Sequence, residues 1–312
     1  MNAYAIRLGV DLGGTKIEIA AINNRGDILL RERMQTPRGD YDATVRTIAE
    51  LVSVTDMRLG NHCSVGVAIP GTISPATGLV KNANSTCLIG HPLDKDLEAA
   101  IGRPVRVTND ANCFVLSEAT DGAAKGANVV FGVILGTGVG GGICVGGRVL
   151  TGAHAIAGEW GHNPLPAPQP EELPGPECYC GRHGCIEAWC SGPAMTLRFQ
   201  MSTGRAWSPA EIAAAATAHD ALAEAAMNLY LDRLARALAS IVNVLDPDVI
   251  VLGGGLSNIP ALYRELPPRV ERYSFAPQGQ TRIVQNLHGD SSGVRGAAWL
   301  WPAVEDSRGP AP

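Results

Sequence analysis

Along the 312-residue chain, short apolar runs broken by glycine alternate with stretches whose apolar residues recur at helical spacing. "AIRLGVDLG" reads as a strand, a tight glycine turn follows, and "KIEIAAI" reads as a second strand. "NNRGD" marks a hairpin turn, and "ILLRERMQ" returns. The spacing in "YDATVRTIAELVSV" predicts an amphipathic helix, and "SVGVAIPG" a buried strand that stops at Pro70-Gly71. "DKDLEAAIG" reads as a helix, "PVRVTND" as a strand, and "ANCFVLSEATDGAAKG" as a helix ending in glycine.

At "NVVFGVILGTGVGGGICVGGRVL" the order of the N-terminus repeats: strand, Gly/Thr turn, strand, turn, strand. This predicts two related α/β halves with a break near residue 120. Residues 163 to 177 are proline-rich and loop-like, and the cysteine-rich "PECYCGRHGCIEAWC" overlaps their end. A long helix is expected over residues 220 to 245, closed by Asp246-Pro247. "DVIVLGGGLSN" reads as strand, glycine turn and helix start, and "SSGVRGAAWLW" as a short helix with Ser291 or Ser292 as N-cap. The tail "EDSRGPAP" is expected to be disordered.

Composition narrows the function classes. The chain is 46% hydrophobic, enough for a sizeable core, and its net charge of -5 gives no basic face for nucleic acid or an anionic membrane. The longest apolar runs are too short to span a bilayer, and the first residues show no signal-peptide pattern. A cytoplasmic protein is therefore expected. Thiols stay reduced there, so a cysteine cluster points to metal rather than disulfides.

The two glycine turns are candidate phosphate cradles. They carry Asp11, Gly13, Gly14, Thr15 and Lys16 in the first case, and Gly136, Thr137 and Gly138 in the second. Glycine lets backbone N–H groups approach an anion, and threonine adds a donor. Asp11, at a strand end, is placed to hold a Mg²⁺-bound water. The second turn contains G-x-G-x-x-G at Gly136, Gly138 and Gly141, but a dinucleotide fingerprint must open a helix and a hairpin follows here. A third glycine turn, with Gly254 and Gly255, is a candidate for the adenosine end of a nucleotide.

Asn109 and Asp110 sit where a strand feeds a helix. Asp110 is either a simple cap or a general base that takes a hydroxyl proton during phosphoryl transfer, and Asn109 is a candidate hydroxyl contact. His162, Cys178, Cys180 and Cys185 form a closed, structural zinc set. His162 is favoured over His183, whose ring inside the loop would be awkwardly placed. Cys190 reads as a buried thiol, and Cys63, Cys87, Cys113 and Cys144 as small core residues. Glu159 and Glu187 flank the metal set, as carboxylates that accept bonds from vicinal sugar hydroxyls would.

Together, "GVDLGGTK", "TNDAN", "LGTGVGGG", "GEWGH", "CYCGRHGCIE" and "DPDVIVLGGGLSN" resemble the repressor–ORF–kinase (ROK) family of sugar kinases, from about residue 6 to residue 302. The resemblance implies an α/β, actin-like (ribonuclease H-like) two-domain ATPase fold with ATP and sugar in an interdomain cleft. The expected domains are 1–118 and 119–290, with a C-terminal helix at about 291–302 packing back on the first. The resemblance implies Asp110 as base, and Gly71, Asn84, Asn109, Glu159, His162 and Glu187 as sugar contacts. Zinc is implied at His162, Cys178, Cys180 and Cys185, with His162 serving zinc through one nitrogen and the sugar through the other. ATP, Mg²⁺ and a homodimer are implied as well, with neither nucleic acid nor membrane as partner.

Within the family, "KNANST", "HPLDKDL" and "HGDSSGVRGAAWLWP" are most similar to bacterial fructokinases, with a departure at Cys87 where that subgroup carries tryptophan. The expected reaction is phosphorylation of the fructose 6-hydroxyl, with mannose or glucose as secondary substrates. The alternatives are a glucokinase or N-acetylhexosamine kinase and, from another class, a non-catalytic sugar-sensing regulator. The first strand begins by about residue 6, so the DNA-binding domain of family repressors is not expected.

Overall fold

The computed structural model describes residues 6–276 and 280–302; the tail expected to be disordered lies outside them. The N-terminal elements are β1 (Ile6–Leu12), β2 (Lys16–Asn23), β3 (Ile28–Gln35), α1 (Tyr41–Leu59), β4 (Ser64–Ile69), β5 (Thr72–Ile73), β6 (Val80–Lys81), α2 (Leu93–Ile101), β7 (Val105–Asn109) and α3 (Asp110–Thr120). Local chemistry sets their ends. Asp40 accepts from the Ala43 N–H to cap α1, and Gly60 closes it in the left-handed conformation. The helix expected to run on to glycine stops at Thr120, short of a turn at 121–126.

One sheet has the order β3-β2-β1-β4-β7. β1, β2 and β3 pair antiparallel, while β4 and β7 join β1 in parallel. β4 is buried along its whole length, as expected for a strand covered on both faces.

The chain then forms β8 (Val129–Leu135), β9 (Val139–Val145), β10 (Arg148–Val149), α4 (Ile186–Cys190), α5 (Gly192–Thr203), α6 (Pro209–Thr217), α7 (Ala221–Leu245), β11 (Val249–Gly253), α8 (Ala261–Tyr273) and β12 (Arg282–Gln285). The second sheet has the order β10-β9-β8-β11-β12 and repeats the directions of the first. Each sheet is an antiparallel trio extended by two parallel strands. The third glycine turn feeds only a 3₁₀ turn, Gly255–Asn258, rather than a continuing helix.

The last helix, α9 (Ser292–Trp299), returns to the first sheet. Glycines allow this. A Cβ on Gly9 of β1 would lie 1.8 Å from the Val294 carbonyl oxygen, and one on Gly296 would lie 1.7 Å from that of Cys113 in α3. Ser291, one of the two expected residues, stands at the N-cap and makes no side-chain cap bond. The Ser292 hydroxyl donates instead to buried Glu118 at 2.9 Å.

Two compact units result. One comprises Met1–Asp121, Thr151–Ile156 and Asp290–Pro312; the other comprises Gly122–Leu150 and Ala157–Gly289. The division thus falls at 121/122, and a short excursion at 151–156 belongs to the first unit. Each unit has its own apolar core. Cys63, Cys113, Cys144 and Cys190 are buried, whereas Cys87 is only half-buried at the edge of the first core, a correction to its expected place inside. Among the described residues, no helix is long and apolar enough to cross a membrane.

Candidate functional site

In the first unit, the candidate residues gather at the carboxyl ends of the parallel strands β1, β4 and β7, where ligands of open α/β sheets bind. Asp11 stands near the end of β1, directly across from Glu18 in β2. Burial, with Asp110 and Glu18 nearby and Lys16 opposing, pushes its carboxyl up to about 7. The turn beyond it is closed by Gly13 N–H donating to the Lys16 carbonyl at 3.0 Å and by the Thr36 hydroxyl donating to Gly13 O at 2.7 Å. Gly14, Thr15 and Lys16 are exposed on it.

Asp110 opens α3 and is exposed. Its Oδ1 and that of Asn109 both accept the Ala111 N–H, at 2.8 and 2.9 Å. Asn109 is the cap residue, and its amide also donates to Gly71 O at 3.2 Å. Gly71 has φ +117, and a Cβ on it would sit 2.7 Å from Lys81 O and 2.9 Å from Ala83. The fold therefore draws Gly71, Asn109, Asp110 and the segment carrying exposed Asn84 together, with Asp11 close enough to sense Asp110.

In the second unit, one ligand atom from each of His162, Cys178, Cys180 and Cys185 lies within 4.8 Å of the others. Cys180 Sγ is 3.7 Å from Cys185 Sγ, and Cys178 Sγ is 3.5 Å from His162 Nδ1. Zn–S bonds of about 2.3 Å in a tetrahedron put ligand atoms roughly 3.8 Å apart, so the donor set and its spacing fit a structural Zn²⁺. His183 faces Glu177 instead, at 3.8 Å. The loop is folded on its own backbone, with Cys178 N–H donating to Arg182 O and Ile186 N–H to Asn163 O. Burial pushes the Cys185 thiol up to about 12, a proton that a bound cation would displace.

Glu187 in α4 accepts the Val139 N–H at 2.8 Å, and a Cβ on Gly138 would lie 2.5 Å from its Oε2. Gly138 is thus the glycine that admits this carboxylate. Burial first, and then the charges of half-buried Glu187 and exposed Glu159 among others, push the phenol of Tyr179 up to about 12. The nitrogen of His162 expected to face sugar, Nε2, meets the Tyr179 hydroxyl at 2.9 Å.

Beside the second turn lies a cavity of about 1390 Å³ lined by Gly136, Thr137, Gly255, Asn228 and Arg264 among others. It is large enough for a nucleotide-sized ligand. Gly254 is not in its lining; φ +81 and Leu135 O at 2.4 Å from a would-be Cβ explain that glycine by backbone fit. The helical wall from α5, α6, α7 and α8 had no signature in sequence, and neither did Tyr179.

A profile of the ROK family matches residues 7–304. The chain belongs to the ROK family. N-acetyl-D-glucosamine kinase of Escherichia coli is 41% identical over 296 residues, covering 94% of this chain and 98% of that protein. A ROK hexokinase from Thermus thermophilus is 31% identical, covering 94% of this chain and 96% of that one, with a TM-score of 0.83. A ROK family glucokinase from Streptomyces griseus, solved with glucose and AMPPNP, is 26% identical, covers 95% and 99%, and has a TM-score of 0.74. The chain is a sugar kinase with the actin-like two-domain fold.

Proposed function

We propose that this ROK kinase transfers the terminal phosphoryl group of ATP to the 6-hydroxyl of N-acetyl-D-glucosamine. The observation that carries the choice of sugar is the 41% identity, over nearly the whole of both chains, to N-acetyl-D-glucosamine kinase. The fructose reading rested on short segments such as "NANST", and half-buried Cys87 stands where that subgroup carries tryptophan. The longer agreement outweighs the shorter one.

Asp110 takes the proton of the attacking hydroxyl as its oxygen bonds to phosphorus and the bond to the leaving diphosphate breaks. Its exposure and its position at the start of α3 support this role. Gly71, Asn84, Asn109, Glu159, His162 and Glu187 hold the sugar, with Asn109 also bracing Gly71 through its amide. Gly136, Thr137 and Gly255 serve the nucleotide from their cavity, and Gly13, Gly14, Thr15 and Lys16 its phosphates. Asp11 would hold a water bound to Mg²⁺, and the ion would supply charge neutralisation on the phosphates. Zn²⁺ at His162, Cys178, Cys180 and Cys185 is structural, because four protein ligands leave no open position. A homodimer belongs to the same reading.

The test is a coupled ADP-release assay with N-acetyl-D-glucosamine, fructose, mannose and glucose. N-acetyl-D-glucosamine is expected to give the highest kcat/KM. A higher kcat/KM for fructose would return the assignment to fructokinase, and turnover of none of these sugars would remove the kinase reading.

A further inference from the structure

Tyr179 lies between two of the candidate metal ligands in sequence, and its ring is 82% exposed. So little packing does not fix a tyrosine side chain, and ordering it costs rotamer entropy. Yet its hydroxyl stands 2.9 Å from His162 Nε2, and the two rings meet edge-on at 84° with centroids 5.1 Å apart. On the other side of the imidazole, Nδ1 faces Cys178 Sγ at 3.5 Å. The Arg182 guanidinium reaches the His162 carbonyl at 3.3 Å, so backbone and ring are both held from the cysteine loop.

We propose that, in the sugar-free protein, Tyr179 is a positioning residue for His162 as a metal ligand: its phenol oxygen accepts the Nε2–H, until a sugar hydroxyl takes that place, and leaves the Nδ1 lone pair aimed into the cysteine cluster. A metal bound at Nδ1 requires the ring proton on Nε2, and that proton needs an acceptor. Histidine ligands ordinarily find a carboxylate, a carbonyl or water for this purpose. Here the acceptor comes from the residue between Cys178 and Cys180, so the segment that supplies two thiols also orients the imidazole. The inference rests on the proposed metal site and not on the identity of the sugar.

The test compares wild-type protein with Tyr179→Phe and His162→Ala, each loaded with zinc and titrated with a chromophoric chelator. Outer-shell partners of metal ligands are worth about 10–100-fold in affinity, so Tyr179→Phe is expected to release zinc at least about tenfold more readily. Circular dichroism should match wild type, because Tyr179 is largely exposed and phenylalanine keeps the ring that meets His162. With Co²⁺ in place of zinc, the ligand-field bands should shift in Tyr179→Phe while the sulfur-to-metal charge-transfer bands persist. Equal zinc affinity and identical Co²⁺ spectra in Tyr179→Phe, with His162→Ala clearly weakened, would overturn the positioning role and leave the metal site standing. Equal affinity in all three proteins would remove the metal site and the inference with it. Tighter sugar binding in Tyr179→Phe at unchanged zinc affinity would also overturn it, marking the hydroxyl as a plug that sugar displaces.

Discussion

The carboxyl of Asp11 feels the charge of Asp110, and their surroundings differ: Asp11 is largely buried near a strand end, while Asp110 is exposed at a helix start. The Asp11 carboxyl, pushed up to about 7, pays for its position in stability, because folding disfavours its charged form. Its pKa in the unfolded chain is near 3.8. The folded state therefore binds the extra proton between those values, and stability is lost as pH rises from about 4 to about 7. Asp11→Asn should accordingly stabilise the protein more at pH 8 than at pH 5, on the order of 2–4 kcal/mol at the higher pH by urea unfolding. Equal gains at both pH values would show that its titration is unperturbed. Asp110→Asn should behave differently, losing about 10²–10⁴ in kcat while calorimetry still detects sugar binding. Near-normal turnover in that variant would sink the assignment of the base.

Elements built on glycine carry much of the site and of its legibility. The two strand–turn–strand units were readable because apolar runs and glycine breaks are local signals, and the repeated order announced the second sheet. What a given glycine is for was not readable. Gly138, expected to meet phosphate, also makes room for Glu187 from far along the chain. Gly138→Ala should force that carboxylate off the Val139 N–H and lower kcat/KM about tenfold or more, with only a small change in Tm. Unchanged kinetics would show that the contact is dispensable. Likewise the cluster of His162, Cys178, Cys180 and Cys185 was legible as a candidate metal site from residue type and spacing, whereas Tyr179 carries no such mark because its place depends on where a loop turns back. The cavity wall was invisible for the same reason: its residues come from separate helices, and nothing in a stretch such as "AEIAAAAT" says which faces meet. Of the two serines expected as the cap of α9, Ser291 takes the position without a side-chain cap bond, and Ser292 stands inside the helix with its hydroxyl on buried Glu118.

At the scale of the whole molecule, the chain passes between its units at 121/122, 150/151, 156/157 and 289/290, while each unit keeps a separate core. A protein with two cores need not unfold in one step. The stabilising devices are also divided. The metal ligands belong to the second unit, along with Trp160 and Ile186 of its core. The close approach of α9 to β1 and α3 belongs to the first. Scanning calorimetry should therefore resolve two events that respond to different changes. A structural Zn²⁺ contributes on the order of 10 kcal/mol to folding, so a chelator or Cys180→Ser should lower the second unit's event by many degrees. Gly296→Ala puts a methyl group against the Cys113 carbonyl, which is backbone and cannot swing away. It should cost the first unit about 3 kcal/mol or more and leave the chelator-sensitive event where it was. The variant carrying both changes should then show both shifts at nearly their single values, since sites in separate cores without shared partners add. If instead chelation and Gly296→Ala each move one common transition, the two cores fold as a single cooperative unit, and zinc would be stabilising Asp110 in the first unit as directly as Glu187 in the second.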